Sequence, residues 1–349
     1  MRALEVSRPG EIRMIDIEKP VAGPLEVLAR IHYCGICGTD MAIYTGDSDL
    51  VRTGQVHYPV KIGHEWSGVV EQVGPGVVNV CLGDKVVSID AVLCGQCRFC
   101  IEKNYSFCPD ARSLGTVGDV WAGGFAEYIK MPASHVYKLR KDIDLAEASL
   151  IEPAGIAMSG LMKAGVFPGC TIMIVGTGAI GLAAVALARQ MGAARIILAG
   201  RRDAKLQVGL TMGADILVNT KLQAIADAAK QHSYRNLGVD ILLESSGSIE
   251  ILDTILDCVH PQGVISLIGF YEYSITNFPI DKLVLNQIDL RGAAGSISVT
   301  VPIINYLENA RLSFKPLISG IYPFEHFDQA FSRMLANDEK RIKILLRIT

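Results

Sequence analysis

The segment VLCGQCRFCIEKNYSFC, residues 92–108, gathers Cys94, Cys97, Cys100 and Cys108 from a chain with nine cysteines in all. The spacing C-x2-C-x2-C-x7-C puts four sulfurs on one short lobe, where they could form a disulfide knot or a thiolate cage around a metal. Four thiolates close a tetrahedron around zinc, with Zn–S bonds of about 2.3 Å, and leave no position for a substrate, so such a site is structural. An iron–sulfur cluster is the other metal reading. Pro109 follows Cys108, but the spacing misses the bacterial ferredoxin run. Four buried free thiols are the bland alternative, and clustering this tight argues against it.

A second signature is Gly176-Thr177-Gly178-Ala179-Ile180-Gly181, which fits G-x-G-x-x-G. A strand pattern precedes it, an apolar helix pattern ended by Gly192 follows, and a second strand pattern closes at Gly200. Glycines there permit a tight turn and close backbone approach to a pyrophosphate, which the helix N-terminus attracts. Without a ligand the same run would be a packing turn. The strand end then selects the dinucleotide, because a carboxylate there binds the ribose hydroxyls of NAD and repels the 2′-phosphate of NADP. The chain instead has Ala199-Gly200-Arg201-Arg202-Asp203. Gly200 leaves room, and Arg201 and Arg202 suit forked hydrogen bonds to a phosphate. NADP is therefore expected over NAD. The alternative is two solvated arginines with Asp203 turned in to serve NAD.

Composition and texture indicate the scaffold that carries these residues. The chain has 349 residues, 50% hydrophobic and 20% charged, with a net charge of −3. That is enough for two domains with sizeable cores and is far from disorder. No basic stripe suggests nucleic acid. No apolar run approaches the roughly 18 residues that span a bilayer. The N-terminal stretch MRALEVSRPGEIRMIDIEKP lacks a secretory apolar core, which predicts a cytoplasmic protein with reduced thiols and favours the cage over the knot. Short valine- and glycine-rich strands with turns at Gly74-Pro75-Gly76 and Gly83-Asp84 predict a β-barrel or sandwich over the first 140 or so residues. From about 145 the texture changes to a helical pair, with Asp144 and Pro153 as breaks. Apolar strands alternating with helices follow, including DILVN, VDILLESSG and GVISLIGF, and predict a parallel sheet covered on both faces. A helix near FEHFDQAFSRML and a strand IKILLRI close the chain. They are too short for their own core and are expected to return to the first domain.

Three further stretches are ambiguous alone: Cys34-Gly35-Ile36-Cys37-Gly38-Thr39-Asp40, Gly63-His64-Glu65 and Glu152-Pro153. Taken in order with the glycine turn and the four-cysteine lobe, they resemble the zinc-containing medium-chain alcohol dehydrogenases, in the sorbitol and polyol dehydrogenase branch. That resemblance implies a GroES-like β-barrel catalytic domain at 1–146 with a structural-zinc lobe at about 92–110. A Rossmann doubly wound parallel-sheet domain would occupy 147–290, and a segment at 291–349 would complete the first domain. It also implies two zinc ions per chain. Cys37 and His64 match catalytic-zinc ligands, and Glu65 and Glu152 each match a carboxylate that approaches the metal. Thr39 matches the hydroxyl that hands the substrate proton outward, and Asp40 an adjoining acidic support. The implied reaction moves hydride between a secondary alcohol and a nicotinamide, in a homodimer or homotetramer.

The chain also departs from its branch. Ala42 stands where some alcohol dehydrogenases have a relay histidine. Gly295 and Ser296 replace the arginine and tyrosine that sorbitol dehydrogenases place near the polyol. Ile156 and Ser159 stand where threonine dehydrogenases tend to have asparagine and histidine. A small-molecule polyol or related alcohol is the expected substrate. The alternatives are a threonine-type or other amino-alcohol dehydrogenase, and a non-catalytic zinc- and dinucleotide-binding protein.

Overall fold

The structure is a computed structural model that describes residues 1–115, 123–271, 277–309 and 312–349. The chain forms two compact units, Met1–Glu152 with Ser296–Thr349, and Pro153–Gly295. The texture of the sequence places these transitions near 146 and 290.

In the first unit the strand Glu26–Gly35 is the hub. Its alternating apolar residues Val27, Ala29 and Ile31 are fully buried against Phe125, Phe324 and Phe331. It pairs antiparallel with Glu65–Val73, Tyr128–Pro132 and the last strand, Lys343–Arg347. The main sheet runs Ile318–Pro323, Lys343–Arg347, Glu26–Gly35, Glu65–Val73, Lys85–Ser88, Val136–Lys138. In this register Gly35 faces Glu65 on one side and Leu345 on the other. Three distant segments therefore end at one point.

The second unit holds a parallel sheet in the order Ile216–Asn219, Arg195–Gly200, Thr171–Val175, Val239–Glu244, Val259–Leu267, Asp289–Gly292. Counted along the chain this is 3-2-1-4-5-6, the doubly wound dinucleotide-binding order. Its central strands read as unbroken apolar runs because both faces are covered, and Ile172–Val175, Ile196–Ala199 and Ile241–Leu243 are buried. The strand order reverses between Thr171–Val175 and Val239–Glu244, whose carboxyl ends open the crevice where such folds bind ligands.

Asp144 does begin a helix, accepting a bond of 2.9 Å from the Ala146 N–H. Pro153, expected as a break, is instead the third residue of the helix Ile151–Ala164. Its missing N–H falls among the first four, which have no intrahelical acceptor, so the helix loses nothing there.

Candidate active site

Cys37 immediately precedes the helix Gly38–Thr45, and its N–H donates to Asp40 Oδ2 at 2.8 Å. The other oxygen of Asp40 accepts from the Gly63 N–H at 3.0 Å and lies 3.7 Å from His64 Nδ1. One carboxylate, 1% exposed, thus ties together the two segments bearing Cys37 and His64. Glu65 opens the next strand and is equally buried. Its neighbour across the sheet has to be glycine, because a Cβ on Gly35 would stand 2.1 Å from Glu65 Oε2. Lys343, the first residue of the last strand, donates to both Glu65 oxygens at 2.6 and 2.7 Å and to the Ile36 carbonyl at 3.2 Å.

The ligand atoms of Cys37, His64 and Glu65 lie within 4.8 Å of one another. Glu152 is outside that group and largely enclosed, with only part of its surface exposed. Burial and the charges of Asp90 and Glu65 push its carboxyl up to about 8, against the opposing influence of His64 and Lys343. Burial disfavours the charged form of His64, yet Asp40, Cys37 and Glu152 outweigh it and hold the imidazole well above its ordinary value. Lys343 is likewise held above its usual value, Glu65 and Cys37 overcoming its burial. The pocket attracts positive charge, and sulfur, imidazole and carboxylate are the donor types that zinc accepts. Thr39 Oγ1 lies 3.9 Å from Cys37 Sγ. Thr39, His64 and Asp90 line a cavity of about 280 Å³ together with Leu50, Val56 and Leu114.

The four-cysteine lobe also fits zinc. All nine cysteines are free thiols, so the knot is excluded. The sulfurs of Cys94, Cys97, Cys100 and Cys108 lie within 4.8 Å of one another, with Cys94–Cys100 at 3.9 Å and Cys94–Cys108 at 3.6 Å. Tetrahedral bonds of about 2.3 Å give edges of about 3.8 Å. The backbone N–H groups of Gln96 and Cys97 pull the Cys94 thiol down to about 7, toward the thiolate a metal needs.

In the second unit a cavity of about 630 Å³ opens over the glycine turn, lined among others by Gly176, Thr177, Gly178, Gly200, Arg201 and Arg202. Gly176 has φ +117°, and its Cβ would meet Ser245 Oγ at 2.5 Å. A Cβ on Gly181 would stand 2.1 Å from the Gly176 carbonyl, so this glycine serves helix–strand contact and is buried. Gly178 caps the helix Ala179–Gln190 and has open space above it. Ala179 and Ile180 form that helix's first turn and do not line the cavity. Gly200 is required by Thr177, whose Cγ2 would be 2.4 Å from an added Cβ. Asp203 is outside the lining and accepts from Asn219 Nδ2 at 2.8 Å. Lys205, Thr220 and Lys221 also line the cavity. Sequence reasoning missed them, as it missed Lys343 and Asp90, because no motif marks them.

Residues 23–141 match the family model for the alcohol dehydrogenase GroES-like domain, and residues 179–303 that for zinc-binding dehydrogenases. The chain is 32% identical over 343 residues to an L-threonine 3-dehydrogenase of Streptomyces coelicolor, covering 95% of each chain. It is 30% identical over 346 residues to a sorbitol dehydrogenase of Gallus gallus, covering 99% of this chain and 96% of that one. A zinc-binding dehydrogenase of Sinorhizobium meliloti solved with NADP shares the fold, with a TM-score of 0.91 at 23% identity over 99% of both chains. The chain belongs to the zinc-dependent medium-chain alcohol dehydrogenase family, with its GroES-like domain and Rossmann-like parallel sheet. It is a zinc-dependent, NAD(P)-dependent dehydrogenase. Among the described residues no helix is long and apolar enough to cross a membrane.

Proposed function

We propose that the protein interconverts a secondary alcohol and its ketone, the alcohol being a polyol or related sugar-derived compound, with NADP preferred to NAD. The observation that carries this reading is the clustering of Cys37, His64 and Glu65 ligand atoms within 4.8 Å, His64 also lining the cavity that Thr39 faces. Cys37, His64 and a carboxylate would hold the catalytic zinc. Glu65 is the better placed by distance, although Lys343 already engages both its oxygens. Glu152 is the other candidate. Zinc bound there supplies a Lewis acid that makes a substrate hydroxyl more acidic. Asp40 keeps Cys37 and His64 in place, and the Thr39 hydroxyl takes the substrate proton toward solvent. Cys94, Cys97, Cys100 and Cys108 would hold a second, structural zinc. Such reduced thiols suit the cytoplasm.

For the cofactor, Gly176, Gly178 and the helix N-terminus at Ala179–Gly181 would receive the pyrophosphate. Support for NADP comes from Arg201 and Arg202 lining the cavity while Asp203 bonds Asn219 outside it. A threonine-type reading is favoured by the L-threonine 3-dehydrogenases among the relatives. Ile156 and Ser159, in place of that branch's asparagine and histidine, favour the polyol. The zinc-loaded protein should oxidise polyols with NADP+ or reduce ketoses with NADPH, and leave L-threonine untouched; the reverse pattern overturns the proposal. Arg201→Ala should raise KM for NADP about ten- to a hundredfold, the cost of one charge-assisted contact, with far less effect on NAD. Equal effects on both would return the site to NAD.

A further inference from the structure

We infer that Asp90 selects the substrate: its carboxylate accepts a hydrogen bond from a hydroxyl neighbouring the reacting carbinol and turns away anionic compounds. The inference rests on the alcohol-oxidising site proposed above and names the feature its substrate must carry. Asp90 sits just past the strand Lys85–Ser88, with its carbonyl fixed by the Leu114 N–H at 2.8 Å. Its Oδ1 accepts from Ser296 Oγ at 3.3 Å, and Ser296 is 2% exposed. Among the described residues this is the only side chain that donates to the carboxylate. Burial holds the Asp90 carboxyl above its ordinary value, opposed by His64 and by the bond from Ser296; when ionised it has about four acceptor positions and no donor. One is used by Ser296, and Asp90 lines the cavity that Thr39 and His64 share.

The rest of the described lining shows what a substrate would meet beside this carboxylate. Leu50, Val56, Ala111 and Leu114 are apolar, and Gln55 and Ser113 are neutral. Apart from the imidazole of His64, the described lining has no cationic side chain. A substrate hydroxyl reaching the remaining acceptor positions of Asp90 gains a hydrogen bond to a charged group, worth more than one to a neutral acceptor. A polyol supplies that hydroxyl and a monohydric alcohol does not. A phosphate ester, or the carboxylate of an amino acid, would meet the like charge of Asp90, and beyond His64 and the zinc it would hold no described lining residue offers a counter-charge.

The test compares butane-2,3-diol with butan-2-ol, which differ by one hydroxyl, using zinc-loaded wild type, Asp90→Asn and Asp90→Ala at saturating NADP. In wild type kcat/KM should favour the diol. In Asp90→Ala the preference should fall about ten- to a hundredfold, mainly through KM, as loss of a hydrogen bond to a charged group requires. Asp90→Asn, close in shape, controls for folding, should keep part of the preference, and should improve relative turnover of a phosphorylated polyol. An unchanged diol preference in both variants overturns the inference while leaving the polyol reading standing. If wild type ignores every polyol and oxidises L-threonine, the proposed function itself fails.

Discussion

The two sulfur-bearing clusters of the first unit are built in opposite ways. The lobe draws four identical donors from one segment, residues 94–108, and its sulfurs sit at the spacing of a closed tetrahedron. The other cluster draws a thiol, an imidazole and a carboxylate from two separate segments, and borders a cavity. Its charges are managed from outside the donor set, Asp40 bridging Cys37 and Gly63 and Lys343 neutralising Glu65. A site that only stabilises can be made of donors alone. One that must admit a substrate needs partners to hold its donors still.

Substitutions put this contrast at risk, beginning with the greatest loss. Cys37→Ser should lower kcat by at least about 10²–10³, the scale for losing one preorganised charge-stabilising element, while circular dichroism shows an intact fold. Cys97→Ser should do the reverse, lowering Tm by more than about 5 °C while any folded enzyme keeps near-normal kcat, since a structural zinc contributes folding free energy. Were both substitutions to cost activity alone, the lobe would not be structural. In the zinc-free protein Lys343→Met would strand Glu65 as a buried unpaired charge, and denaturant unfolding should show a loss of about 3–5 kcal/mol. The mildest change separates the two clusters by metal affinity. Asp40→Asn should weaken metal binding at the open site about 10–100-fold in chelator competition, and leave the lobe's metal in place.

Legibility in the sequence divides along the same line. The lobe and the glycine turn are local, so spacing alone exposes their donors and their special backbone. The family order of Cys37, His64 and Glu152 could be recognised, but the partners of those residues could not. Lys343 reaches Glu65 across 278 positions, and Ser296 reaches Asp90 across 206. Both meet their partners because of sheet register and the return of the C-terminal segment, which no short window contains. Pro153 misled for a smaller reason: a proline interrupts a helix only where its N–H was needed.

Anomalous diffraction at the zinc edge, from zinc-loaded crystals, would decide whether the two clusters are the two metal sites. Two peaks per chain are expected. One should lie within the four-cysteine lobe, and the other about 2.3 Å from Cys37 Sγ and about 2.0–2.1 Å from a ring nitrogen of His64. A single peak in the lobe, or a second ion that Cys37 and His64 do not share, would contradict the zinc-dependent mechanism proposed for this site.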